Sequence, residues 1–168
     1  MGILTTLGSS LNHMTSKPIV LTSRCPEKPG ESPEAIATLS LAADERTKSR
    51  HCFAQAGLAL HLQLPRGTVL RHNDLLCSSD GNHTVRIVAQ PEPVMTVIGS
   101  PSTLIRAAYH LGNRHVPVEI AIDELRLAPD PVLRSMLIGL GLTVTDGLAP
   151  FHPEAGVYGQ HHPQAVHG

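Results

Sequence analysis

The hydrophobic rhythm of this chain changes character at Pro91-Glu92-Pro93. Before that point the apolar residues alternate over short runs bounded by turn residues, the period of half-buried strands. Leu60, Leu62 and Leu64 fall on one face of such a run, with His61 and Gln63 on the other. Pro65-Arg66-Gly67 then supplies a turn, and Ser78-Ser79-Asp80-Gly81-Asn82 separates two further strand-like runs as a hairpin would. Residues 36–92 therefore read as an all-β domain. Residues 1–35, rich in Pro, Gly and Ser around Lys28-Pro29-Gly30-Glu31-Ser32-Pro33, read as a flexible leader with a short strand near Pro18 to Leu21.

After the two prolines, which each remove a backbone donor and suggest a joint, strands and helices interleave. Val94 to Ile98 reads as a strand. Ser100 with Pro101 starts a helix carrying Leu104, Ile105, Ala108 and Leu111, and Gly112-Asn113 offers a left-handed stop. Val116 to Ala121 and Glu124 to Ala128 read as strands. Asp130-Pro131 starts a second helix, and Leu142 to Thr145 closes the pattern. The fold class is α+β: an all-β domain followed, over residues 93–150, by a ferredoxin-like β-α-β-β-α-β domain. Residues 151–168 lose core periodicity and read as a flexible, histidine-bearing tail.

Composition narrows the function. The chain has a formal net charge of -1, which is not the basic footprint of a nucleic-acid binder. Aromatic residues make up 2% of it with no Trp, so the stacking platforms for single-stranded nucleic acid are missing as well. No apolar run reaches membrane-spanning length. The three cysteines, Cys25, Cys52 and Cys77, are widely spaced and suggest neither a disulfide framework nor a CxxC zinc site. They read as small buried residues in a reducing cytoplasm. No H-x-x-x-H pair with its glutamate and no nucleophile elbow points to an enzyme.

Histidine is the outlier. There are 11, and His161, His162 and His167 crowd the last eight positions. Imidazole suits nickel, zinc and copper. His115 follows a helix stop and precedes a strand, so two regular elements would hold it. Taken alone it reads as an ordinary corner residue. His110, near Arg106 on the helical wheel, reads as a hydrogen-bonded structural histidine.

The run Ala108 to Ile120, AYHLGNRHVPVEI, is long and contains uncommon neighbours. It resembles the signature of the urease accessory protein E family, the nickel metallochaperones. The segments DERTKSRH, LQLPRGTVLR and VRIVAQPEPV resemble the N-terminal half of that family. The resemblance implies that His115 binds Ni2+ (with Zn2+ or Cu2+ as other ions the site accepts) across the interface of a homodimer. His161, His162 and His167, by their imidazole chemistry and their place in a flexible tail, are further candidate ligands, with His110 a weaker one. The implied partners are the urease apoprotein and the urease accessory GTPase complex. A histidine-based nickel or zinc buffer or sensor, unconnected with urease, uses the same residues and is the alternative. Pro129 and Pro131 stand where some members carry histidine, which removes a peripheral site from expectation.

Overall fold

A computed structural model describes residues 17–26, 34–55 and 57–155. The first domain is a six-stranded sheet. Its strands are β1 (Ile19–Arg24), β2 (Ala37–Leu41), β3 (Arg50–Gln55), β4 (Leu58–Gln63), β5 (Leu75–Ser78) and β6 (Thr84–Ala89). Their spatial order is β2-β6-β5-β1-β4-β3, with β1 parallel to β4 and antiparallel to β5. The alternation in β4 has the expected outcome: Leu60 and Leu62, followed by Leu64, are buried with Leu21, Leu39, Leu76 and Ile87. The fully buried members of this cluster are all aliphatic, with Phe53 half-buried against them.

Two features differ from the sequence expectation. The strand assigned to a leader, β1, lies inside the sheet with a neighbour on each side. The cysteines are not all free and buried. Cys25 and Cys77 form a disulfide, and Cys52 is free and exposed. Cys25 follows the last β1–β5 pair, Arg24 with Leu76, so strand register rather than sequence spacing brings the sulfurs together.

The second domain begins with β7 (Pro91–Ile98), followed by α1 (Pro101–Gly112), β8 (Glu119–Ile120), β9 (Glu124–Leu127), α2 (Pro131–Gly139) and β10 (Thr143–Pro150). Its sheet runs β10-β7-β9-β8, each neighbouring pair antiparallel. Both helices pack on the face bearing Met95, Val97, Leu125 and Leu127, and Leu104, Ala107, Leu111 and Leu137 fill the layer between. Both helix caps form as their residue types demand. Ser100 accepts from the Thr103 amide, and Asp130 accepts from Val132 and Leu133.

The prolines expected to break the chain are part of β7 instead. Pro91 and Pro93 pair with Pro150 and Leu148 of β10, while β9 pairs with β7 only from Met95 onward. At that end β7 has one neighbour, so the missing N–H groups need not face a second strand. The final strand is correspondingly longer than expected. It runs through Asp146-Gly147 to Pro150, because every residue has a β7 partner.

The two domains meet through Ala43, Val94 and Phe151, a small buried cluster of their own. The Glu92 carboxylate accepts the Ala43 amide at 2.7 Å across this joint. Phe151, placed by its sequence at the start of a tail, is thus a core residue.

Candidate metal centre

The end of α1 determines how His115 is presented. The Val116 amide donates to the Leu111 carbonyl at 3.2 Å, and the His115 amide donates to Gly112 at 2.9 Å. This pair of bonds is a Schellman cap. Val116 packs against the cluster containing Leu111, the apolar contact that accompanies such caps. The left-handed position falls on His115, at φ 56°, and not on Asn113, whose φ of -63° is ordinary helix. Glycine normally occupies this position because a Cβ crowds the following carbonyl. Here an imidazole stands there, exposed to solvent and rooted in a closed hydrogen-bonded turn.

His110 is half-buried in the last turn of α1, its ring edge-on to Tyr109 at 5.5 Å. Its carbonyl accepts from the Arg114 guanidinium at 2.8 Å. His161, His162 and His167 lie outside the described residues. Among the described residues, no group of three His, Cys, Asp or Glu is placed to hold a metal ion. Pro129 and Pro131 line an open groove with Pro93 and Asp130, and neither carries a side-chain donor.

The outer face of α1 departs from its expected stripe. Leu104, Ala107 and Leu111 face the sheet, but Ile105 is 70% exposed. Tyr109, one turn further on, is 66% exposed. The two lie one turn apart and form an exposed apolar strip on α1. The sequence signal was present in the i, i+4 spacing of Ile105 and Tyr109.

A second cluster lies at the domain joint. Arg46 is buried, at 4% exposure, and makes no ion pair with any of the described residues. It donates to the Phe151 carbonyl, to Nδ1 of His152 at 3.4 Å, and to the Leu70 carbonyl at 3.5 Å. Arginine has no acceptor, so Nδ1 of His152 must be the unprotonated nitrogen. Desolvation, and next the charge of Arg46, hold the His152 imidazole below the ordinary histidine value. The Glu119 carboxylate accepts from the His152 amide at 2.7 Å and from Arg126 at 3.2 Å.

These residues make a two-domain, mostly β protein that presents an exposed imidazole at the end of a helix. Sequence comparison then places it. The model for the N-terminal domain of the UreE urease accessory protein matches residues 21–90, and the model for its C-terminal domain matches residues 92–168. The chain belongs to the UreE urease accessory protein family. A urease accessory protein UreE of Nostoc sp. is 52% identical over 128 residues, covering 75% of this chain and 87% of the relative. Its counterpart in Microcystis aeruginosa is 48% identical over 151 residues, 86% and 94% of the two chains. That of Thermosynechococcus vestitus is 49% identical over 143 residues, 84% and 98%.

Proposed function

We propose that this protein is a cytoplasmic nickel metallochaperone, not an enzyme. It works as a homodimer that delivers Ni2+ to the urease apoprotein and its accessory GTPase complex. The observation that carries the reading is the placement of His115, exposed and held by a closed cap at the end of the helix that bears the exposed Ile105 and Tyr109.

One imidazole fills too little of a coordination sphere. A twofold axis beside the end of α1 brings two copies of His115 to one ion and buries the strip in the same contact. Few ligands and an open site let the ion leave again, as a carrier requires, whereas a closed four-ligand cage would retain it. His161, His162 and His167 complete the shared site when metal is loaded, and His110, in the last turn of α1, is an auxiliary ligand. Zn2+ and Cu2+ are competitors for the same nitrogens.

The β-α-β-β-α-β order and the β10-β7-β9-β8 sheet support a ferredoxin-like reading of the second domain, the half through which the dimer forms. The N-terminal sheet is then the docking module for partner proteins.

The test is transfer. Nickel-loaded protein is mixed with apo-urease and its accessory GTPase, and both complex formation and urease activation are measured. Binding of nickel without either outcome would favour the buffer reading over the delivery reading.

A further inference from the structure

The two domains are joined covalently through Gln90, which stands between β6 and β7. The apolar contact across that joint is small, Ala43 and Val94 with Phe151. Among the described residues, Arg46 is the side chain of the first domain that donates hydrogen bonds into the second. It stands on the 3-10 turn Glu45–Thr47 and reaches the Phe151 carbonyl and, at 3.4 Å, Nδ1 of His152. Its Nε is buried and has no acceptor among the described residues, so its grip is exerted through the two terminal nitrogens. The nitrogen that meets His152 is otherwise left with the Leu70 carbonyl at 3.5 Å, a long contact for a hydrogen bond.

We propose that His152 is a proton-operated latch between the two domains. The neutral ring accepts from Arg46 and holds the first domain in place. The imidazolium lets go and leaves that domain free to turn about Gln90. Nδ1 can accept from a guanidinium only while it carries no proton. A proton there sets N–H against N–H and positive charge against positive charge. His152 is exposed, so the charged ring can turn away from Arg46 into water.

The groups around the ring divide between the two states. Arg126 on β9 and His72, in the loop leading to β5, oppose the proton as Arg46 does, while Glu119 on β8 favours it. Glu92 on β7 acts on Arg46, favouring its charge together with Glu119 and against burial. Glu119 already takes the His152 amide at 2.7 Å, so the charged ring keeps a carboxylate beside it on its own domain. That backbone bond survives release, and each domain retains its own core. The latch therefore separates domains and does not unfold them.

Linkage gives the direction. Burial and then Arg46 hold the latched imidazole below its ordinary value, and release returns it to about 6.5. The released state gains as pH falls below about 6.5, and gains no more once the latched ring is charged too. Each unit between the two values changes the ratio of released to latched molecules about tenfold. The device needs no nickel and stands whether or not the protein carries it.

The experiment uses the full, isotopically labelled chain without metal. Residual dipolar couplings of both domains are measured as pH is stepped from about 7.5 to about 4.5, and the His152 ring signals report its charge. The couplings should fit one common orientation at the upper end and separate into two sets as His152 titrates, with the circular dichroism spectrum unchanged. His152→Gln keeps an acceptor and cannot be charged, so it should hold one orientation throughout. Glu119→Gln removes the charge that favours the imidazolium and should move the separation to lower pH. A single orientation in the wild type with His152 fully charged would overturn the latch. So would two sets already present at the upper end, or a separation in His152→Gln at the wild-type pH. A loss of circular dichroism coincident with the separation would show unfolding in place of release and would overturn it as well.

Discussion

Val116 and Leu111 are joined by a backbone hydrogen bond of 3.2 Å that spans His115 and pins it in the left-handed conformation. A side chain in that region costs about 1–2 kcal/mol relative to the right-handed basin, a cost glycine escapes. The His115 position thus trades stability for a presented imidazole. His115→Gly should be about 1 kcal/mol more stable than His115→Ala in urea denaturation, with both losing the shared metal site. Equal stabilities would show that the cap is not strained.

The strip on α1 makes a separate prediction. Replacing Ile105 or Tyr109 by Asp should leave the circular dichroism spectrum intact, since neither side chain enters the core. Each should weaken dimerisation by about 2 kcal/mol or more, roughly thirtyfold, as expected for burying a charge in an apolar contact. Light scattering at micromolar concentration decides the matter. An undiminished dimer would place the interface elsewhere.

The disulfide can be tested without metal. Cys25 and Cys77 are 52 residues apart, and closing such a loop removes about 4 kcal/mol of chain entropy from the unfolded state. Oxidised protein should accordingly resist urea better than protein held in dithiothreitol, with that figure as an upper bound. A variant with all three cysteines replaced by Ser should still bind nickel with unchanged stoichiometry. A lost binding event would make a cysteine a ligand.

His152 gives the joint a pH dependence. Its folded-state value lies below the ordinary one because of burial and then Arg46, with His72 and Arg126 acting in the same direction and Glu119 opposing. The unfolded chain therefore takes up the proton first. Stability should fall as pH drops below about 6.5 and level off once the folded-state imidazole is also charged. A His152→Gln variant should show a shallower fall over that window in denaturation at stepped pH. Identical profiles would remove His152 as a contributor.

What the sequence disclosed follows from the range of the interactions involved. Leu60, Leu62 and Leu64 were legible because alternation is local, and so were the Ser100 and Asp130 caps. The edge strand β3 was not, since most of its residues are exposed and do not alternate. The length of β10 was hidden by Asp146-Gly147, a turn signal locally that only its pairing with β7 overrides. The Cys25–Cys77 pairing depends on the register of β1 against β5, a non-local property. At the site, the AYHLGNRH run pointed to His115, but Gly112-Asn113 concealed that the left-handed residue is the histidine itself. The contacts of Arg46 with Phe151 and His152 join residues more than 100 positions apart and left no local trace.

The central claim is that His115 anchors a nickel ion shared by two chains. Isothermal titration of nickel into the wild type and His115→Ala, side by side at neutral pH, tests it most directly. The account predicts about one ion per two chains for the high-affinity event in the wild type, and loss of that event in the variant with the fold intact. An unchanged isotherm for His115→Ala would contradict it.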